Sequence, residues 1–383
     1  MSQGGPRVSA RRGRTATAAT AVSLVVSLVV SLVVSLAACG TDGESAGAGG
    51  NASRKGGFTI GLLLPQIQIA RWETFDRPLI EKKLKELCDD CTVEYANARG
   101  DVATQQQQMN TLITKGVEVL IISAVDFRSL HSSVETAHDA GIEVVAYDGL
   151  VDGPISGYVS FDNERVGKLQ GEALLKAMGD KADGGQIVMM NGPQTTPTTM
   201  AFKRGALSVL EGEVKIGKSY DVQGWKPESA NANMVRAIAA LGAGNIDGVY
   251  AANDALASGV ISALRSAGIQ PLPPVTGQDA DLAALQRILS GEQYMSVYKP
   301  FKAEAEAAAE MAVALGRGEE LDDISETTVD TPTTKDIPAV LLDPIPVTAD
   351  NIKDTVIKDG VFTTAQICTP KFESACEKAG LTP

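Results

Sequence analysis

The chain has 383 residues, with 34 Lys and Arg against 47 Asp and Glu, so its formal net charge at pH 7 is −13. This acidic balance argues against nucleic-acid binding, which needs clustered basic side chains to neutralise phosphates. The length leaves room for two ordinary domains after removal of an N-terminal leader.

The first 38 residues have the pattern of a secretory leader. Four arginines precede an uncharged apolar run, residues 21–38, whose final Leu-Ala-Ala stands directly before Cys39. This pattern is typical of exported proteins, and its ending resembles the bacterial lipobox, which implies a lipoprotein signal peptide over 1–38 and lipidation of Cys39. An uncleaved transmembrane anchor is the alternative, because the run approaches the ~20 residues that span a bilayer. Either interpretation places the remaining chain outside the cytoplasm, lipid-anchored on the outer face of the cell membrane or periplasmic.

Residues 39–56 are rich in Gly, Ala, Ser and Asn and hold few large apolar side chains. Such a composition cannot bury a core, so it predicts a flexible tether. The leader contains four basic and no acidic residues, so the chain without it has 30 basic and 47 acidic residues and a net charge of −17.

The chain has five cysteines, an odd number. Apart from Cys39 they form two close pairs, Cys88/Cys91 and Cys368/Cys376. Outside the cytoplasm such pairs predict two local disulfides. A metal site is the weaker alternative, because the two histidines of the chain are distant from both pairs in sequence. A thioredoxin-like redox site is also weaker, since its Cys-x-x-Cys begins a helix, whereas the first pair here follows one.

Short apolar runs alternate with helical patterns along the rest of the chain. The predicted strands are 58–64, 92–97, 119–123, 142–147, 155–160, 186–190, 214–221, 248–251 and 275–277. The predicted helices are 72–87, 104–115, 130–140, 165–178, 200–210, 229–241, 255–267, 282–289 and 302–315. This alternation predicts an α/β fold with parallel sheets covered by helices on both faces. The length of the series predicts two doubly wound lobes.

Polar side chains follow nearly every predicted strand, where the ligands of open parallel sheets bind. They lie at 66–72, 123–126, 147–148, 161–163, 191, 253–254, 278–281 and 298–299. Carboxylates accept hydrogen bonds from hydroxyls, Arg and Lys donate them, and aromatic rings cover apolar sugar faces, so we expect a polyhydroxylated ligand.

Simpler roles remain open for several of these residues. Asn253, Asp279 and Asp162 also suit the N-cap of a helix. Trp72 could pack between domains, and Lys299 could be a solvated turn residue.

Nine short motifs occur in a fixed order between residues 57 and 360. They are Ala70-Arg71-Trp72, 115–120, Ala146-Tyr147-Asp148, 160–164, Trp225 with Pro227-Glu228, Asn253-Asp254-Ala255, 277–282, Val297-Tyr298-Lys299-Pro300 and 351–360. Together they resemble the motifs of the periplasmic sugar-binding proteins of bacterial ABC importers, most closely the branch that binds D-xylose.

The resemblance implies the type I periplasmic binding protein fold, two Rossmann-like lobes joined by a three-crossover hinge. We expect the N-terminal lobe to comprise 57–148 and 300–320, and the C-terminal lobe 149–299 and 321–383. Crossovers are expected near Asp148, near Lys299-Pro300 and near 320–325.

The resemblance also implies a set of ligand-binding residues, with no catalytic residue, no metal ligand and no cofactor. The ligand-binding residues are Arg71, Trp72, Asp148, Trp225, Asn253, Asp279 and Lys299.

Two positions depart from the xylose-binding pattern. Gly149 stands where the pattern has Arg, and Thr196-Pro197-Thr198 stands where it has an Asp-Asn-Asn stretch. A buried hydrogen-bonding group left without its partner costs about 1–3 kcal/mol, so we expect the pocket not to hold xylose in the same way.

The implied function is the capture of a monosaccharide, xylose or a related sugar, by cleft closure and its delivery to the permease of an ABC importer. We expect a monomer held at the membrane by its lipid, with no enzymatic activity and no nucleic-acid partner. A sugar sensor for a membrane signalling receptor is the alternative, and a secreted carbohydrate enzyme a weaker one. A DNA-binding repressor of the same fold is excluded, because an export signal stands where its DNA-binding helices would be.

Overall fold

The computed structural model describes residues 56–67 and 69–381. The predicted signal peptide, the lipidation at Cys39 and all but the last residue of the predicted tether lie outside this part of the chain. Within the described residues, no helix is both long enough and apolar enough to cross a membrane.

The described chain forms alternating strands and helices. The strands are β1 (Thr59–Leu64), β2 (Thr92–Asn97), β3 (Val119–Ile122), β4 (Glu143–Tyr147), β5 (Gly157–Phe161), β6 (Gln186–Asn191), β7 (Lys215–Asp221), β8 (Gly248–Ala251), β9 (Ser296–Tyr298), β10 (Thr327–Val329), β11 (Ile337–Leu342) and β12 (Ile345–Val347). The α-helices are α1 (Arg77–Leu87), α2 (Val102–Lys115), α3 (His131–Asp139), α4 (Asn163–Met178), α5 (Pro197–Leu210), α6 (Pro227–Leu241), α7 (Asp254–Ser266), α8 (Leu282–Leu289), α9 (Phe301–Arg317), α10 (Thr364–Ile367) and α11 (Glu373–Lys378).

The first lobe is built on a seven-stranded sheet with the spatial order β10-β11-β5-β4-β3-β1-β2. Its strands run parallel except for the edge strand β10, which is antiparallel to β11. Successive side chains of a strand point to opposite faces. Leu62 and Leu64 of β1 therefore join the apolar cluster of α1 and α9, whereas Leu63 joins the cluster of α2 and α3 on the other face.

The second lobe contains the parallel three-stranded sheet β7-β6-β8. Single bridges extend it from Val249 to Val275, and from Gln278 to Val297 in β9. Helices α4 and α5 pack against each other with their backbones in close contact, and glycine at Gly167 and Gly205 permits this approach. A Cβ atom at either position would lie 1.9 Å from a backbone oxygen of the facing helix.

The strand pairing differs from the predicted lobe boundaries. Strand β5 pairs with β4, and β11 pairs with β5, so both strands belong to the first sheet although the prediction placed them in the second lobe. Apolar runs of this kind occur in either sheet, so the sequence pattern could not assign them. The chain passes between the sheets after β5, at Lys299-Pro300 and after β11. We propose lobes of 57–161 with 300–342, and of 162–299 with 343–381.

The last part of the chain packs on the second lobe. Strand β12 pairs antiparallel with β9, and Val347, Ile352 and Val356 share an apolar cluster with Leu285 of α8. Both predicted disulfides are present, and they join the following cysteines: Cys88 with Cys91, and Cys368 with Cys376.

We expect the disulfide near the C-terminus to contribute measurably to stability. Its cysteines lie eight residues apart, and closing a loop of this size should stabilise the folded state by about 2–3 kcal/mol. Replacing both Cys368 and Cys376 by Ala should lower the free energy of unfolding by that amount in urea titrations. The same exchange at Cys88 and Cys91, three residues apart, should cost less, and a larger loss there would contradict the loop-length argument.

Candidate functional site

The functional side chains come together because parallel strands present their carboxyl ends at the same edge of a sheet. In the first lobe, Arg71 and Trp72 follow β1 and Asp148 follows β4 directly. In the second lobe, Asn253 follows β8 and Lys299 follows β9. The two edges face each other across a cleft.

A cavity of about 490 Å³ lies in this cleft. All seven residues predicted to bind the ligand line it: Arg71, Trp72, Asp148, Trp225, Asn253, Asp279 and Lys299. The structure therefore brings together side chains that are up to 228 positions apart, between Arg71 and Lys299, in the sequence. Their contact with a ligand remains a prediction.

Arg71 lies at the centre of a buried set of charges, with only 2% of the residue exposed. Its Nε and one terminal nitrogen donate to the two oxygens of Asp76, at 2.8 and 2.7 Å. The same terminal nitrogen donates to Glu304 at 2.7 Å. The other terminal nitrogen donates to Asp148 and lies 3.9 Å from Asp279 of the second lobe. Four of the five guanidinium N–H groups thus donate to carboxyl groups of the first lobe, and one remains at the cavity.

Asp148 joins the two lobes electrostatically. Its carboxylate accepts from Arg71 and lies 3.2 Å from the Nζ of Lys299. Burial alone would raise the pKa of Asp148, but the charges of Lys299 and Arg71 and their hydrogen bonds outweigh it and hold this pKa below its ordinary value. The carboxyl group of Asp148 is therefore ionised at pH 7.

Asp279 has fewer partners than Asp148. Only Gln278 donates to its carboxylate within the described residues, and burial raises its pKa although Lys299 and Arg71 oppose the shift. Its carboxylate oxygens can therefore accept hydrogen bonds from a ligand with little competition from the protein.

Three of the predicted ligand-binding residues have positive φ angles, which residues other than glycine rarely adopt. The φ angles of Asp148, Trp225 and Asp279 are 53°, 57° and 96°. Such conformations cost of order 1–3 kcal/mol each, and they persist where the surroundings fix them, often at ligand sites. Here they direct three side chains into one cleft.

The two tryptophans of the chain lie on opposite sides of the cleft. Trp72 is buried, its ring meets that of Tyr147 edge-on at 6.4 Å, and its Nε1 has no hydrogen-bond partner in the described part of the chain. Trp225 packs against apolar clusters of both lobes, and its ring covers Gly192, where a Cβ would lie 2.3 Å from it. Trp72 and Trp225 thus both pack against the protein interior and form part of the cavity wall.

Of the three residues that could also have been helix N-caps, two cap a helix and one does not. The Oδ1 of Asn253 accepts from the amide of Leu256 at 3.0 Å, so Asn253 caps α7 and lines the cavity as well. Asp162 caps α4 through the amide of Arg165. Asp279 caps no helix, because α8 begins after Asp281.

The profile of the family described as "Periplasmic binding protein domain" matches residues 60–320. The chain belongs to this family of periplasmic binding proteins. It is 39% identical over 314 residues to the D-xylose-binding periplasmic protein of Escherichia coli (strain K12), which covers 80% of this chain and 92% of that protein.

Two further relatives support the assignment. The multiple sugar-binding periplasmic receptor ChvE of Rhizobium radiobacter is 30% identical over 329 residues, which cover 81% of this chain and 92% of that protein. An ABC transporter solute binding protein from Clostridium phytofermentans, solved with bound β-D-glucose, superposes with a TM-score of 0.75 at 29% identity and covers 81% of this chain and 99% of that one. The predicted type I fold and the prediction of a binding protein rather than an enzyme are confirmed.

Sequence reasoning missed Phe202, which lines the cavity of this periplasmic binding protein, and it did not count Gln278 among the ligand-binding residues although Gln278 lines the cavity too. Gly149 and Thr198, at the positions that depart from the xylose pattern, also belong to the cavity wall. Glu304 lies behind Arg71, outside the cavity wall. A signal for it exists in the sequence, because Glu304, Ala308 and Ala312 share one face of α9, and an acidic residue on an apolar face needs a buried partner.

Proposed function

We propose that this chain is an extracytoplasmic, lipid-anchored binding protein that captures a monosaccharide by closure of its cleft and delivers it to an ABC importer. The observation that carries the proposal is the convergence of the seven predicted residues on one cavity. Neither lobe contains the full set, so a ligand that contacts all of them must hold both lobes together.

The chemistry of the cavity wall suits a neutral polyol. Asp279 offers carboxylate oxygens, Arg71 keeps one N–H for the cavity, and Lys299 donates from the second lobe. Trp72 and Trp225 present aromatic surface from opposite sides, as sugar rings require. The relatives described above carry names or bound ligands of this chemical class.

Closure follows from the distribution of these contacts. A sugar gains its interactions with both lobes only in the closed form, so its binding shifts the population toward that form. Hinge-bending of this kind occurs in microseconds to milliseconds. The permease would then recognise the closed surface.

The identity of the sugar depends on the two departures from the xylose pattern. Gly149 and Thr198 both line the cavity, so the altered positions belong to its wall. They remove a guanidinium and amide or carboxylate groups that the pattern provides. We therefore propose xylose or a related pentose, hexose or polyol as the ligand.

The lipid at Cys39 would hold the monomeric protein beside its permease. Confinement at the membrane raises the effective concentration of a carrier near its acceptor. The net charge of −17 after removal of the leader would keep the protein soluble at an anionic surface.

Isothermal titration calorimetry with a sugar panel tests the proposal. The full chain, purified in detergent and freed of endogenous sugar by unfolding and refolding, is titrated with xylose, arabinose, ribose, glucose, galactose and myo-inositol. We expect one-to-one binding of at least one sugar at micromolar affinity, and its loss in Asp279→Ala.

Asp180→Ala is the matched control, because Asp180 is an exposed aspartate of the second lobe outside the cavity. It should bind as the unchanged protein does. No binding by any sugar, or binding that survives Asp279→Ala, would reject the proposed site.

A sensor function is the second candidate, since the relative from Rhizobium radiobacter is named a receptor. Deleting the gene and measuring the uptake of radiolabelled sugar distinguishes the importer role from the sensor role. A carrier for an importer is required for uptake, whereas loss of a sensor leaves uptake by an already expressed permease unchanged.

A further inference from the structure

The charges around Arg71 do not balance if every acidic group is ionised. Arg71 and Lys299 face Asp76, Asp148, Asp279 and Glu304, which makes two positive against four negative groups in a region where each of these residues is at most 6% exposed. An unbalanced buried charge costs several kcal/mol. The cluster is therefore expected to retain a proton.

Among the three carboxyls that accept a hydrogen bond from Arg71, the remaining contacts show which is the best candidate. Asp76 is engaged at both oxygens, by Arg71 and by the hydroxyl of Tyr147. Asp148 is engaged by Arg71 and Lys299. Glu304 is 0% exposed and has one partner, Arg71 at its Oε2, while its Oε1 has none among the described residues.

The other elements packed against α9 supply no second cation for Glu304. Helix α1 and strand β3 meet α9 with apolar side chains such as Ile80, Leu84 and Val119. The titratable groups that face Glu304 are Arg71 and Asp76 beside α1, Tyr147 and Asp148 at the end of β4, Tyr158 of β5, and Lys299 at the hinge.

Glu304 contacts Arg71 from the side away from the cavity. It does not line the cavity, whereas Arg71 does. With Asp76 it holds the guanidinium plane from two directions, and this fixes where the remaining N–H points. Phe301, one turn earlier on α9, stacks on the same guanidinium at 4.5 Å.

We propose that Glu304 is a positioning residue that holds Arg71 for the ligand, and that it does so as a neutral, protonated carboxyl. This inference rests on the proposed function for its effect on sugar binding, but not for the proton itself. Burial, and next the charge of Asp148, raise the pKa of Glu304 well above its ordinary value, in agreement with the geometry.

The first test compares substitutions that separate charge from hydrogen bonding. The probe is D-xylose, or the panel sugar that binds the unchanged protein. Glu304→Gln keeps an oxygen acceptor without charge, so its affinity should stay within about threefold of the unchanged protein. Glu304→Leu removes the acceptor and should weaken binding by about tenfold or more, as expected for one lost hydrogen bond to a charged group.

Asp76→Asn and Glu310→Gln are the matched controls. Asp76 is engaged at both oxygens, so Asp76→Asn should weaken binding by about tenfold or more. Glu310 lies on α9 at the surface, paired with Lys83, and Glu310→Gln should have no effect. Equal losses in Glu304→Gln and Asp76→Asn would overturn the neutral carboxyl. Unchanged affinity in Glu304→Leu would overturn the positioning role.

The second test needs no sugar and follows the melting temperature between pH 5 and pH 8. A carboxyl whose pKa is higher in the folded than in the unfolded state keeps its proton on folding while the unfolded chain has lost it. The folded state therefore becomes less stable as the pH rises from the unfolded-state pKa toward the folded-state pKa. The unchanged protein should therefore lose stability relative to Glu304→Gln as pH rises, while Glu310→Gln should keep a constant difference. A constant difference for Glu304→Gln would overturn the retained proton.

The same ligand-free measurements also test the contact with Arg71. The shifts in melting temperature caused by Glu304→Leu and Arg71→Met should not add in the double variant, because both remove one interaction. Additive shifts would overturn the positioning role. Absence of sugar binding in the unchanged protein would reject the proposed function alone, and these stability measurements would still decide the role of Glu304.

Discussion

Arg71→Met is expected to abolish measurable sugar binding and to lower the free energy of unfolding by about 3–5 kcal/mol, the cost of removing one partner from a buried ionic group. Arg71 is the cation that contacts the carboxylates of Asp76 and Asp148, and it also holds the carboxyl of Glu304. Methionine fills a similar volume without charge. The loss of stability would therefore come from buried carboxylates without a cation and not from an empty space left by the arginine. Calorimetric titration and urea unfolding at pH 7 measure the two effects.

The pH dependence gives this prediction a second test. Carboxylates without a cation take up protons more readily, so the penalty of Arg71→Met should shrink as pH falls and grow as it rises. Arg77→Met is the control, because the side chain of Arg77 is 37% exposed and pairs with Glu73 and Glu81 at the surface. Such pairs contribute about 0–1 kcal/mol. Sugar affinity of Arg71→Met within tenfold of the unchanged protein would contradict the central role of Arg71.

Gly205→Ala is expected to destabilise the second lobe although alanine is the better helix former. In an exposed helix the exchange would gain about 1 kcal/mol. Here the new Cβ would lie 1.9 Å from the carbonyl oxygen of Glu164 and 2.9 Å from the amide of Lys168, both backbone atoms of α4. Overpacking of this kind costs about 1–3 kcal/mol or more, so the clash should outweigh the propensity.

The displacement should also reach the ligand site. Thr196 caps helix α5, Thr198 and Thr199 lie in its first turn, and all three line the cavity. A shift of α5 would move this wall, so sugar affinity should fall together with the melting temperature. Gly244→Ala is the control, since a Cβ there meets nothing within 4 Å and the backbone has no positive φ. It should change stability by less than about 0.5 kcal/mol, and an equal loss at both positions would reject the packing argument.

The resemblance of nine short motifs implied the family and the ligand-binding residues, whereas the fold class and the polar strand ends could be predicted from local patterns. The alternation of apolar runs and helical segments indicated the doubly wound lobes, and the polar groups after each strand indicated the cleft. The carboxyl ends of all strands in a parallel sheet lie at the same edge, so the residues that follow the strands could be placed there without knowledge of distant contacts.

The lobe boundaries could not be predicted in the same way. Strands β5 and β11 have the apolar composition of strands in either sheet, and only their pairing with β4 and with each other assigns them to the first. Tyr158 and Ala339 pair across these strands although they lie 181 positions apart in the sequence, and such a distant partner leaves no local trace.

By itself, the sequence determined the export pattern, the fold class, the paired cysteines and the strand-end residues of the cleft, because each is set by residues close together along the chain. Only the tertiary structure decided that Asp76 and Glu304 surround Arg71, that Asn253 both caps a helix and lines the cavity, and that Asp279 is left with few partners. These properties depend on burial and on the distance between charges from different elements, and both arise only when the lobes fold and meet.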